Sequence, residues 1–158
     1  MPRLIALLPC EKILYGLDES VSLIMVLSEF HFVPRSPEAM KDLPPNAGVY
    51  FKWAVFVQWE RDSRDNNEKS FQQSIGLASE AGVSHFTNVS TIEFQVGKTT
   101  YRNIGHFDAV PVVPEGKYDL VVRWRLNERT DWVEAGKYPI RVAYDPAPSP
   151  SVSVPMQH

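Results

Sequence analysis

The segment GVYFKWAVFVQWER, at residues 48–61, repeats with a period of two residues, and this period constrains the fold more than any other feature. Every odd-numbered position from Val49 to Trp59 is apolar, whereas Lys52 and Gln58 occupy even-numbered positions. Because successive side chains of a β-strand point to opposite faces, the pattern predicts a long strand with one fully apolar face. Such a face requires a second layer of structure to cover it.

Other segments of the chain also favour strands. The predicted strands are residues 4–10, 70–78, 90–98, 99–112, 117–127 and 137–145. Three of them, at 90–98, 117–127 and 137–145, alternate clearly enough to predict half-buried antiparallel strands. The segment 70–78 also admits a short helix, but Gly76 lowers helix propensity and therefore favours a strand.

The run SVSLIMVLSEFHF, at residues 20–32, differs because its middle is apolar at consecutive positions. Strands that are buried on both faces have continuous apolar runs of this kind. We therefore predict a central strand here, covered on both sides.

Several short strands separated by turn residues predict an all-β fold. The expected architecture is a two-sheet antiparallel β-sandwich of about eight strands, immunoglobulin-like or of a related Greek-key type, with a closed barrel as the alternative. Ser36 and Pro37 suit the start of a short helical turn within residues 37–43. The segment 145–158 is rich in Pro and Ser and predicts a flexible tail, which leaves a domain over residues 2–144.

Composition and the opening residues narrow the classes of function. A net charge of −3 disfavours a nucleic-acid partner, which requires clustered Lys and Arg, and gives no attraction to an acidic membrane surface. The opening has one basic residue, Arg3, and a short apolar run at 4–8, which favours a buried strand over a secretion signal. The one cysteine, Cys10, cannot form an intrachain disulfide. These features predict a cytoplasmic protein.

Motifs for catalysis or metal binding are absent from the sequence. The glycine-rich phosphate loops GxGxxG and GxxxxGK[ST] do not occur, and neither does the GxSxG nucleophile elbow. The metal-binding spacings HxH, HExxH and CxxC do not occur either. Cys10, at the end of an apolar strand, is interpreted as a buried hydrophobe and Glu29 as a carboxylate at the rim of the core. We therefore expect no catalytic residue, no metal and no cofactor.

Aromatic and polar side chains near strand ends are the candidates for a contact surface. Trp59 and Trp132 would border a loop surface if they were exposed, whereas Trp53 and Trp124 lie on apolar strand faces. The segment YRNIGHFD adds further candidates. The candidate ligand-binding residues are thus Trp59, Tyr101, Arg102, His106 and Asp108, weighed against the alternative of an ordinary solvated strand.

Two segments carry a resemblance to a family. They are CEKILYGLDESVSLIMVLSEF, at residues 10–30, and FDAVPVVPEGKYDLVVRW, at residues 107–124, where Pro114, Gly116 and Tyr118 form a turn that leads into a strand. Together they resemble a family of bacterial single-domain β-sandwich proteins of unknown function. The resemblance implies the sandwich fold and implies no catalytic residues.

These observations favour a non-catalytic protein-interaction or structural module, with a protein partner or self-association through a sheet face or edge. The alternative is a small-ligand or carbohydrate-binding module that uses exposed aromatic rings. A third hypothesis is an enzyme whose site is assembled from distant strands, with His31, His85 or His106 beside a carboxylate. In the tail, SVSV at 151–154 alternates and is a candidate for strand addition to a partner's sheet.

Overall fold

A computed structural model describes residues 1–17, 20–33, 44, 47–61 and 70–145 of the chain. These residues form nine strands. The strands are β1 (Pro2–Tyr15), β2 (Val21–Val26), β3 (Glu29–Phe32), β4 (Gly48–Arg61), β5 (Ser70–Ser79), β6 (Ser84–Glu93), β7 (Thr100–Pro111), β8 (Gly116–Arg125) and β9 (Val133–Tyr144). The described part of the chain contains no helix, which confirms the all-β prediction.

The nine strands form two packed sheets, which confirms the sandwich-like architecture. The four-stranded sheet has the order β2-β1-β4-β7, and the five-stranded sheet has the order β3-β9-β8-β5-β6. All strand pairs are antiparallel except β3 and β9, which are parallel. The hairpin of β1 and β2 lies entirely in the four-stranded sheet, and β3 then joins the opposite sheet.

The core between the sheets is built from the predicted apolar faces. β4 contributes Trp53, Val55, Val57 and Trp59, and β8 contributes alternate residues from Tyr118 to Trp124. Aromatic rings meet in this layer, with the ring centroids of Trp59 and Phe71 5.0 Å apart. The apolar period of residues 48–61 therefore has the predicted consequence, since it supplies one wall of the core.

The prediction for residues 20–32 is wrong. The run is not one central strand but two short strands, β2 and β3, which lie in different sheets. β2 is an edge strand of the four-stranded sheet, and its residues Ile24, Met25 and Val26 are exposed. The local pattern records only that both faces are apolar, and an exposed edge strand satisfies that pattern as well as a covered central one.

Other boundaries also differ from the sequence predictions. β6 covers residues 84–93, so the predicted strand at 90–98 is shifted toward the N-terminus, and Val96, expected on an apolar face, is almost fully exposed. The predicted helical turn at 37–43 and the tail beyond residue 145 lie outside the described residues. No helix in the described part of the chain is long and apolar enough to cross a membrane.

Candidate functional site: an exposed apolar hairpin

The hairpin of β1 and β2 exposes a group of large apolar side chains at one end of the four-stranded sheet. We call this group the hairpin surface. Its members are Leu14, Tyr15, Leu17, Ile24, Met25 and Val26. Single exposed apolar residues are normal on soluble proteins, but six of them within one hairpin are more typical of an interaction site.

The register places Leu14 and Ile24 on one face of the hairpin, and Tyr15, which pairs with Val21, on the other face. Ile24 pairs with Lys12, Val26 pairs with Cys10, and the backbone N–H of Gly16 donates to the carbonyl of Ser20 at 2.9 Å to close the turn. Leu14 pairs with Ser22, so its side chain lies on the face that carries Ile24. The ladder is regular from Lys12 to Tyr15, and the apolar residues are exposed because no described strand covers them.

Met25 has an unusual backbone conformation. Its φ is 52°, in the left-handed region, and its side chain is 66% exposed. A bulky residue that is not glycine pays about 1–3 kcal/mol for such a conformation, and residues of this kind cluster at functional sites. Met25 belongs to neither apolar cluster of the described residues, so core packing does not account for its conformation.

The outer edge of β2 offers unpaired backbone groups. Within the residues that the structure describes, β2 pairs only with β1. The other three edge strands carry charges or proline, as in β3 with Glu29, β6 with Glu93 and β7 with Arg102. The six residues of β2, VSLIMV, carry neither a charge nor a proline. Natural proteins protect edges with such residues, so the unprotected edge of β2 is suited to pairing with another strand.

A second apolar cluster connects the hairpin to the middle of the sheet. It consists of Cys10, Ile13, Ala54 and Phe56, with Ala6, Val21, Leu23 and Ile104 packed against it. Cys10, Ala54 and Phe56 alternate along their strands with residues of the inter-sheet core, so the cluster lies on the outer face. Burial raises the pKa of the Cys10 thiol, which agrees with its interpretation as an unreactive hydrophobe.

A cleft of about 370 Å³ lies beside this cluster, where β1, β4 and β7 run side by side. Its floor includes Ala54, and its polar lining consists of Glu11, Lys12, Lys52, His106 and Asp108. A hydrogen bond with Tyr50, together with the nearby charge of Asp108, raises the pKa of Lys52. The cleft therefore combines an apolar floor with a rim of both charge signs.

The structure separates the five ligand-binding candidates. His106 and Asp108 line the cleft, and Arg102 is exposed on the same strand. Tyr101 is half-buried, with its ring 6.3 Å from that of Phe94. Trp59 is fully buried, and its indole Nε1 donates to Gln73 Oε1 at 2.6 Å. The expectation that Trp59 borders a surface is therefore wrong, because the apolar period of β4 continues to the end of the strand.

Trp132, the other aromatic residue considered for a surface, is half-buried. The guanidinium of Arg125 lies 4.4 Å from the centroid of its ring, and Arg125 Nε donates to Gln72 Oε1 at 2.7 Å. The face of this ring is thus already occupied by a cation.

The histidines of the enzyme hypothesis do not converge as a group. His31 and His85 lie on β3 and β6, which are the opposite edges of the five-stranded sheet. His31 lies between Glu29, at 3.2 Å, and Asp145, at 3.3 Å, and Glu29 also pairs with Arg141 at 3.5 Å. The ion pair of Glu29 and Arg141 ties β3 to β9. Among the described residues, no group of three His, Cys, Asp or Glu side chains is placed to hold a metal ion.

Sequence reasoning took the apolar run at 23–26 as a sign of an interface but assigned it to a covered central strand, so it did not predict the exposed edge. Comparison of the chain with protein-family models, with curated proteins and with solved structures finds no match.

Proposed function

We propose that the protein is a non-catalytic protein-interaction module whose contact surface is the hairpin surface. The observation that carries the proposal is the exposure of Ile24, Met25 and Val26 on an edge strand without charge or proline. Full burial of one such side chain is worth about 1.5–3 kcal/mol, so a partner that covers the group gains substantial affinity. Aromatic and Met residues at such a position are typical of interface cores, and the hairpin supplies Tyr15 and Met25.

The proposed fold is an immunoglobulin-like Greek-key sandwich. The order β3-β9-β8-β5-β6 supports it, because the short β3 is parallel to β9, the last strand of the chain. The pairing of β4 with β7 in the opposite sheet also supports it. We place the protein in the cytoplasm, supported by its one cysteine, which is buried and cannot form an intrachain disulfide. Modules of this architecture commonly act through loops and edges, which agrees with the use of β2.

The test compares two valines that are matched in exposure and position. Val26 on β2 is 47% exposed, and Val89 on the edge strand β6 is 52% exposed. Tagged wild-type protein, Val26→Lys and Val89→Lys are each used to recover partners from a native lysate of the source cells. We expect Val26→Lys to lose the partners that wild type and Val89→Lys retain. Identical recovery by all three proteins would show that the hairpin surface is not the contact surface.

A second candidate function is the binding of a small ligand in the cleft. The supporting observation is that His106 and Asp108 share this cleft with Lys12 and Lys52 around an apolar floor. Such a lining suits a small molecule that carries both an apolar group and charged or polar groups. A ligand present at about 100 times its Kd stabilises the fold by about 2.7 kcal/mol.

A thermal-shift screen with metabolites and sugars tests this candidate. We expect a ligand that raises the Tm of the wild-type protein to have a smaller effect on His106→Ala and the same effect on His85→Ala. A screen in which no compound raises the Tm, or in which His106→Ala responds like wild type, would reject the cleft as a binding site.

A further inference from the structure

We infer that the partner of the hairpin surface is a second copy of this chain, paired antiparallel through β2. The inference rests on the proposed function and specifies its partner. In such a dimer the two four-stranded sheets join edge to edge into one continuous sheet of both copies.

Backbone chemistry favours a strand as the occupant of this site. The outer edge of β2 presents the N–H and C=O groups of a strand, with the left-handed Met25 as one irregularity near its end, and within the described residues no strand pairs with it. Another strand satisfies these groups in a regular ladder, which a side-chain contact cannot do. The free β2 of a second copy has the same need, and pairing satisfies both edges at once.

The side chains of β2 are complementary to themselves. A two-fold axis perpendicular to the sheet pairs residues of the same face. With the axis at Ile24, that residue lies opposite its own copy, and Ser22 lies opposite Val26 of the second copy. Lys12 flanks Ile24 on β1, so the two Lys12 side chains remain separated by both β2 strands. The row across the dimer is thus apolar in its middle and charged only at its flanks.

Charge also selects β2 among the possible edges. Self-pairing places like charges near one another on any edge strand that carries them, and such pairs are destabilising. β7 carries Arg102, His106 and Asp108, and β6 carries Glu93, whereas β2 has no charged residue at all. Of the four edge strands that the structure describes, β2 is therefore the one at which a second copy pairs without charge repulsion.

The symmetry of the contact at Ile24 provides a decisive test. The mass of the full-length protein is measured by sedimentation equilibrium for wild type, Ile24→Lys, Ile24→Asp and the control Val89→Lys. We expect wild type and Val89→Lys to be dimers at a concentration of about 100 µM, and each Ile24 variant to dimerise at least about tenfold more weakly. In an equimolar mixture of Ile24→Lys and Ile24→Asp, we expect the dimer to return, because opposite charges then meet across the axis.

A covalent readout supports the same contact without an added charge. Cys10, the one cysteine of the chain, is fully buried. An introduced surface cysteine is therefore the thiol that an oxidant reaches. We expect Ile24→Cys to form a disulfide-linked dimer under mild oxidation, since directly opposed residues lie within disulfide distance, and Val89→Cys to remain mostly a monomer.

Other results would overturn the inference. A wild-type protein that is monomeric at about 100 µM excludes the second copy as partner. The interaction module then still stands if Val26→Lys loses lysate partners, and both proposals fail if it does not. A chain truncated after Asp145 should dimerise like wild type. Loss of the dimer on truncation would instead assign the edge of β2 to the segment 146–158.

Discussion

β8 and β2 have similar local sequences but opposite environments. In β8, Leu120, Val121 and Val122 are consecutive apolar residues and all are buried, because β8 lies between β5 and β9 in the middle of its sheet. In β2, Ile24, Met25 and Val26 are also consecutive and apolar, yet all are exposed at a sheet edge. The folding of this chain explains the apolar residues of β8. It does not explain the three exposed residues of β2, which the proposed interface would account for.

The largest expected effect compares one residue from each strand. Leu120→Ala removes a fully buried side chain from the core and should lower the free energy of unfolding by about 2–5 kcal/mol. Ile24→Ala, at a position that is 39% exposed, should cost less than about 1 kcal/mol under conditions where the protein is a monomer. Urea unfolding at low protein concentration measures both. Equal losses would mean that Ile24 belongs to the core and would remove the contrast.

A smaller effect concerns the polar group within the core. Gln73 is fully buried, and its Oε1 accepts the indole N–H of Trp59. Gln73→Leu leaves that N–H unpaired and should cost about 1–3 kcal/mol. In a Trp59→Phe background the same change should cost less, because no indole donor remains. A double-mutant cycle by urea unfolding measures this difference. An equal cost in both backgrounds would mean that the hydrogen bond contributes nothing to stability.

The pH dependence of stability tests whether the cluster next to the hairpin is dry. Burial raises the pKa values of Cys10 and Tyr118, and the pKa of Tyr144 is raised mainly by burial, so folding favours their neutral forms. Their stabilising contribution is complete below the pKa of the unfolded chain and is lost as the pH rises toward the folded pKa. We expect the urea midpoint to begin to fall above about pH 8.5, where a free thiol ionises.

Cys10→Ala separates the thiol from the tyrosines. The first part of the fall, up to about pH 9.5, should become flatter in this variant, while the later part due to the tyrosines, which ionise near pH 10, remains. An unchanged profile would show that the Cys10 site is accessible to water.

The smallest effect is at Met25. Met25→Gly removes the cost of a left-handed conformation but adds chain entropy to the unfolded state, so the monomer should gain at most about 1 kcal/mol. The same change should weaken association, because it removes an exposed side chain of the hairpin surface. A thermal melt at low concentration and a sedimentation run measure the two effects. A variant that loses stability would show that the side chain of Met25 contributes to the fold.

Sequence patterns predicted the fold better than the site. The period of β4 and β8 predicted the buried Trp53 and Trp124, because alternation follows directly from strand geometry. The same period continues to Trp59, whose position near the strand end suggested exposure that the structure does not show. Whether β2 lies at the edge or in the middle of its sheet depends on pairing between strands that are far apart in the sequence, and a local pattern does not predict such pairing. The cleft around His106 and Asp108 likewise depends on the register of three strands.

Hydrogen–deuterium exchange of the full-length protein at two concentrations tests the central claim most directly, because it locates the contact. We predict that amide protons of Val21–Val26 exchange more slowly at high concentration, while those of β5 and β8 exchange equally slowly at both. Exchange in β2 that is fast and independent of concentration would contradict the pairing of β2 with a second copy.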